Sequence, residues 1–287
     1  MGIGHWDLFR IIRLIRTIRI IFLFYSHKTR GIIIKRRKYG EADHILTIFT
    51  EDLGKIQVRA QGVRKGKSRL AGILELFNLV QLEIIRGKIF DIVIGARILN
   101  SFLRLKSDYK KVSFAHFLAE FIDKFTEERE KDKRLYILFR SFFLNLDKFS
   151  DKDEYLWTLA TGEWQMLEYL GVMPQLDYCV GCGCSLQNTK SLFLGEGGLY
   201  CGNCVPKKRF SDFVDREVLK ILSYCRGGYV YPPARFGQPH SSGVKKTHRF
   251  TPTAANLEKM VLMLAHFLSA SLAPQIKSLH FLKNIDD

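Results

Sequence analysis

Five of the six cysteines in this chain fall within CVGCGCSLQNTKSLFLGEGGLYCGNC, residues 179–204. Cys179-x-x-Cys182 and Cys201-x-x-Cys204 form two thiol pairs with 18 residues between them, the spacing of a four-sulfur zinc knuckle. Two intervening residues let both sulfurs of a pair face one tetrahedral ion at about 2.3 Å. Cys184 competes with Cys182 for the same position through Cys182-x-Cys184, and the C-x-x-C spacing favours Cys182. Cys225 lies in an apolar helical pattern and reads as a buried thiol. Four thiolates fill the tetrahedron and leave no open position for water, whereas a catalytic zinc keeps one. No H-E-x-x-H motif and no H-x-E…P-C-x-x-C deaminase pattern occurs. A zinc hydrolase is therefore disfavoured, and the metal is expected to staple its local ribbon, where binding can supply about 10–16 kcal/mol. A disulfide framework suits small secreted chains, and 287 residues with 47% apolar content give ample core without one.

The second chemistry-bearing feature is positive charge. The chain carries a formal +16, which makes polyanions the first partners to consider. Residues 1–105 hold 20 Lys/Arg against 8 Asp/Glu, a net of +12. Two runs stand out: Arg36, Arg37 and Lys38, followed by Tyr39, and Arg64, Lys65, Lys67 and Arg69 on a glycine-bearing connection. Mobile cations of this kind can follow a phosphate backbone and release counterions, and Tyr39 could stack on a base. GVRKGKS (62–68) resembles a phosphate-binding loop, but three residues rather than four separate Gly62 from Gly66, and no βαβ unit surrounds it. The eight histidines are scattered, and Glu41 and Asp43 read as turn residues rather than a catalytic pair.

These residues need elements to position them. RGIIIKRRK, HILTIFT, KIQVRAQGV, LVQLEII and FDIVIGARIL are rich in Val, Ile and Phe and are split by turn residues, so they predict five strands. Ile56, Val58 and Ala60 alternate with Gln57, Arg59 and Gln61, which gives the third strand one buried face. Five strands in about 75 residues, with a short helix between the third and fourth, suit a small closed barrel of the OB-fold kind, whose loops commonly hold nucleic acid. After Ser101 the apolar period becomes 3.6. Helices are predicted over 113–125, with Ser113 as N-cap, over 135–146, over 154–170 with Gly171 as the stop, over 216–226 and over 255–272. Residues 228–250 read as a loop. LFRIIRLIRTIRIIFLFY (8–25) is interrupted by Arg10, Arg13, Arg16 and Arg19, and its uninterrupted part is too short to span a bilayer. It reads as an appended tail, with a membrane-surface anchor as the rival reading, and the body is expected to be cytoplasmic.

TRGIIIKRRKYGEADHILTIFTEDLGKIQVRAQGVRKGKSRLAGILELF (29–77) resembles the opening of the bacterial RecO recombination family, through its YGEAD-x-IL turn, the GK that starts the third strand and KSRLAG-x-L. The four-cysteine ribbon is similar to that of many members, and KSLHFL (277–282) resembles the family's closing KSL-x-FL. The resemblance implies an α+β multidomain protein: an extension at 1–28, an OB-fold β-barrel at 29–105 and an all-helical domain at 106–287 carrying a zinc ribbon at 175–208. It implies a non-enzymatic, nucleoid-associated mediator of recombinational repair. Such a protein binds and anneals single- and double-stranded DNA, works with RecR and the acidic tail of single-strand-binding protein, and helps RecA load. Lys207, Lys208 and Arg209 could rim a groove for that tail. Charge alone does not separate this reading from an RNA-binding factor in translation or ribosome assembly.

Overall fold

The computed structural model describes residues 26–149, 151–187, 189, 191–205, 211–226 and 252–272. The tail at 1–25, Lys207, Lys208, Arg209, the 228–250 loop and the 277–282 segment lie outside the described residues. Five strands, β1 (Ser26–Tyr39), β2 (Asp43–Thr50), β3 (Gly54–Ala60), β4 (Leu79–Ile85) and β5 (Asp91–Asn100), close a barrel in the order β1-β2-β3-β5-β4. The seal is a short parallel pairing, Val58 with Asp91 and Arg59 with Ile92, and every other ladder is antiparallel. This is the five-stranded OB arrangement the sequence predicted.

The barrel fills with the inward residues of each strand, Ile33, Leu46, Ile48, Ile56, Val58 and Val80 among them. β3 alternates buried and half-buried residues along its length, as the Ile56/Val58/Ala60 pattern requires. β2 is instead buried on both faces from Ile45 to Thr50. The second face has a cover: Phe49 packs edge-on against Phe139 and tilted against Tyr136, and Ile32 lies opposite Phe49 in the ladder. The barrel and Leu118–Ser141 accordingly form one compact unit, while Arg104–Phe117 and the chain from Phe142 onward form a second.

Helix α1 (Tyr109–Phe125) buries Phe114, Phe117, Leu118, Phe121 and Ile122, the stripe predicted from spacing. It starts earlier than expected. Asp108, not Ser113, caps it by accepting from the Lys110 and Lys111 N–H groups. Ser113 is buried one turn in and donates to the Tyr109 carbonyl, the back-bond of a serine inside a helix, whereas an N-cap would accept from N–H groups. The C-terminal carbonyls of α1 receive the Lys55 ammonium, which donates to Asp123 O and Thr126 O at 2.6 Å each, complementing the helix dipole.

In the second unit, α3 (Lys152–Leu170) is capped by Asp151 and ends at Gly171 in the left-handed conformation. Its predecessor α2 (Lys133–Lys148) and the helices α4 (Arg216–Arg226) and α5 (Ala254–Leu272) match the predicted segments. Glu163 is wholly buried in α3 with neither oxygen hydrogen-bonded among the described residues, and burial raises its pKa well above the ordinary carboxylate value. A small sheet in the order β7-β6-β8 (Gly198–Cys201, Leu192–Gly195, Ser211–Val214) carries the cysteine segment. No helix among the described residues is long and apolar enough to cross a membrane.

The turn from β2 to β3 gives a test of this packing. Gly54 has φ +65°, and a Cβ there would collide with the Glu130 carbonyl, whereas Gly40 has φ +56° and open space around it. Gly40→Ala should cost about 1–2 kcal/mol from backbone strain alone. Gly54→Ala adds a clash and should cost at least about 3 kcal/mol. Denaturant midpoints measure both, and equal losses would refute the close approach of residue 130 to the turn.

Candidate nucleic-acid interface and metal centre

Four chain segments meet at one end of the barrel: the end of β1, the 40–42 turn, the 61–78 connection from β3 to β4, and the 86–90 loop from β4 to β5. The connection is pinned at both ends by apolar side chains. Val63 and Leu74 insert into the barrel core, and the buried Asn78 donates to the Gly72 and Ile73 carbonyls. A series of turns takes the place of the predicted short helix there. Arg64, Lys65, Lys67 and Arg69 lie between the anchors and are all exposed. Apolar ends hold a cationic arc in water.

A single carboxylate joins this arc to the 40–42 turn. Asp43 accepts from the Gly62 backbone N–H at 2.7 Å and from Arg59 at 2.6–2.7 Å. The Arg64 N–H donates to the Ala42 carbonyl at 2.9 Å, and its guanidinium reaches the Gly40 carbonyl at 3.2 Å. The Gly62 N–H above all, with Arg59, holds the Asp43 carboxyl below the usual carboxylate range against the opposing effect of burial. The turn residue read from sequence is thus a clamp. Next to it, burial and then the Arg36 and Arg64 charges lower the His44 pKa.

Aromatic faces complete the surface. Tyr39 and Phe90 meet edge to face with centroids 5.9 Å apart, Arg59 lies 5.2 Å over the Tyr39 ring, and Arg37 lies 5.8 Å over Phe90. Such stacked guanidinium–aromatic pairs hold planar surfaces where bases can stack. Of the seven cations singled out in the sequence, Lys38, Lys65, Lys67 and Arg69 make no side-chain hydrogen bond or ion pair among the described residues. Arg37 donates to Gln57 at 3.2 Å and stays exposed. Arg36 differs, because it is ion-paired to Glu75 and only 24% exposed. Sequence reasoning missed Arg59 and Phe90. The strand alternation already aimed Arg59 outward, but nothing in the spacing placed Phe90 beside Tyr39.

The cysteine segment folds into two knuckles. The Gly183 N–H donates to the Cys179 carbonyl at 2.8 Å, and the Cys204 N–H donates to the Cys201 carbonyl at 2.9 Å. At Gly181 any Cβ would press on the Cys204 side chain at 2.8 Å. The sulfurs of Cys179, Cys182, Cys201 and Cys204 all lie within 4.8 Å of one another, with Cys179–Cys201 at 3.7 Å and Cys182–Cys201 at 3.8 Å. Four sulfurs about 2.3 Å from a tetrahedral zinc would stand about 3.8 Å apart, so the quartet fits that ion. Burial raises the Cys179 pKa, but the backbone N–H groups of Cys201, Cys182 and Gly181 outweigh it and hold the thiol below its ordinary value. Cys184 is exposed and stands outside the quartet, and burial pushes the Cys225 thiol on α4 up to about 12.

Two family models match the chain: one described as the N-terminal part of recombination protein O, over residues 25–102, and one as its C-terminal part, over residues 106–235. The DNA repair protein RecO of Dehalococcoides mccartyi is 36% identical over 205 residues, covering 70% of this chain and 79% of that protein. The RecO of Alkaliphilus metalliredigens is 32% identical over 197 residues, covering 69% and 79%. A longer match, to the RecO of Halalkalibacterium halodurans, is 26% identical over 261 residues and covers 89% and 97%.

The Asp43 clamp makes a stability prediction. Asp43→Ala removes charge-assisted hydrogen bonds worth about 1.5–3 kcal/mol and should lower Tm by about 3–8 °C. Because the folded carboxyl pKa is depressed, this stabilisation is full above the unfolded value of about 3.9 and is lost as pH falls through the lower folded value. The difference between wild type and variant should be flat from about pH 5 to pH 8 and shrink below about pH 4. A difference that instead grows on acidification would show that the clamp does not depend on charge.

Proposed function

This chain belongs to the RecO family, and on that premise we propose that it acts in recombinational DNA repair as a mediator that performs no bond chemistry. The barrel segment 29–105 grips polynucleotide, and the segment 106–287 supports it with a zinc-stapled ribbon. Single- and double-stranded DNA bind through Arg37, Lys38, Arg64, Lys65, Lys67 and Arg69, with Arg36 contributing after it releases Glu75. The observation that carries this reading is a set of exposed cations, Lys38, Lys65, Lys67 and Arg69, with no side-chain partner among the described residues, on segments that Asp43 ties together through the Gly62 N–H and that adjoin the Tyr39–Phe90 ring pair.

The mechanism follows from electrostatics. Two phosphate backbones repel each other, and mobile ammonium and guanidinium groups placed between them offset that repulsion, so complementary strands can meet and pair without fuel. Aromatic faces hold unpaired bases extended until a partner arrives. By family resemblance, RecR, the acidic tail of single-strand-binding protein and RecA are the partners, and simultaneous contacts raise local concentration on coated DNA. The work would take place in the cytoplasm, at the nucleoid. Zinc held by Cys179, Cys182, Cys201 and Cys204 would keep its ribbon folded, with all four positions filled by sulfur.

Salt titration of single-strand binding tests the grip. Seven contacts predict a log–log slope near −5 at about 0.7 per contact. The triple change Lys65→Ala, Lys67→Ala, Arg69→Ala should flatten the slope by about 2, and Arg36→Ala should change it least because Glu75 already answers that charge. A wild-type slope near zero would remove the barrel from the mechanism, and stronger competition by structured RNA than by DNA would redirect the reading to an RNA-binding factor. The metal is tested separately. Purified protein should hold one zinc per chain, and Cys204→Ser should lose it while oligonucleotide affinity stays within about 2-fold, as expected of sites that act independently. Loss of binding in a variant whose barrel remains folded would overturn the purely structural role.

A further inference from the structure

At the other end of β1 lies a cleft of about 350 Å³ that none of the motifs in the sequence marks. Lys28 and Arg30 reach it from the start of β1, and Lys131 and Lys133 from the segment that leads into α2. All four are exposed, and none makes a side-chain hydrogen bond or ion pair among the described residues. Two carboxylates also line the cleft, Glu51 and Asp52. Asp52 is already engaged, accepting from the Thr29 hydroxyl and facing His27 at 2.8 Å. Asp132, next to the cleft, is likewise committed to the Leu135 N–H at the start of α2. The surplus is positive, and the remaining lining groups, Thr29 and Gln81, are polar.

We infer that this cleft holds the phosphate backbone of a second nucleic-acid strand while the loop end of the barrel holds the first. This rests on the polynucleotide grip proposed above and adds to it a separate seat. Two observations favour a nucleic acid over an acidic peptide with apolar anchors: the cleft is lined by cations that lack partners, and it offers no apolar side chain to seat such an anchor. Distance makes the two seats independent. Arg30 and Arg36, cations of the two seats on the same strand, are six residues apart on β1, at most about 20 Å along it, and Tyr39 lies three residues further on. At physiological salt, charges are screened over about 8 Å. A polyanion bound at one end therefore does little to repel a second one at the other. A barrel that holds two strands by opposite ends brings them into one complex before any base pairs form.

The test uses the full chain with two short, non-complementary oligonucleotides, one bearing a fluorescent donor and one an acceptor, and counts strands per chain by sedimentation. Wild type should bind two strands per chain and show energy transfer. Changing Lys28, Arg30, Lys131 and Lys133 together to Ala should leave one strand per chain, with its affinity within about 2-fold of the first wild-type site, and should abolish transfer. Annealing of complementary strands should slow by about 10-fold or more as the local-concentration gain is lost. Lys131→Glu with Lys133→Glu, two exposed positions, repeats the loss should the fourfold variant fold poorly. Persistence of two strands per chain in folded variants overturns the inference, as does a wild type that takes only one strand. A polyglutamate peptide that fills the cleft where no second strand binds overturns it too and identifies a peptide site. Binding of no strand at all defeats the polynucleotide grip itself, so the two failures are told apart.

Discussion

Placing Lys38, Arg64, Lys65 and Lys67 on one end of a small barrel sets like charges against one another, a repulsion that solvent, salt and the Asp43 carboxylate offset in part. The fold must therefore hold the backbone of these segments without neutralising their side chains. It does so with groups other than these exposed cations. Val63 and Leu74 bury in the barrel, Asn78 fixes the return of the connection, and the Asp43 carboxylate spends its charge on the Gly62 N–H and Arg59. The result is an anchored backbone under ammonium groups that have no side-chain partner among the described residues. The exception, Arg36 with Glu75, marks where the arc meets its own support.

The cysteine quartet obeys a different constraint. Its four sulfurs converge from two knuckles whose turns are closed by backbone hydrogen bonds, and the ribbon that carries them belongs to the second compact unit. An ion enclosed by four sulfurs has no site for substrate, so the chemistry available there is cohesion of the local chain. The cationic connection and the cysteine quartet thus belong to different compact units.

Much of this was legible in the residues because local signals and tertiary packing agreed. The β3 alternation, the α1 stripe, the Gly171 stop and the two C-x-x-C pairs each state a pattern that the structure keeps. What was not legible turns on competition between neighbouring residues of similar type or on partners distant in sequence. Ser113 has the type of an N-cap, but Asp108 precedes it with a carboxylate that accepts from two N–H groups, so the helix begins a turn earlier. Phe90 acquires its role only because closure of the barrel carries the β4–β5 loop beside Tyr39. The cleft at Lys28 and Lys131 joins residues about a hundred positions apart, and no spacing rule spans that interval.

The double-sided burial of β2 bears on where the chain can be divided. Phe49 rests on Tyr136 and Phe139, and Ile32 shares its ladder. A fragment cut just after the last barrel strand would retain the ladders between the five strands yet present Phe49 and Ile32 to water. Such a piece would self-associate, and its clumping could be mistaken for oligomerisation or for coalescence with DNA. The smallest excised version of the barrel with a dry exterior must run on through Ser141.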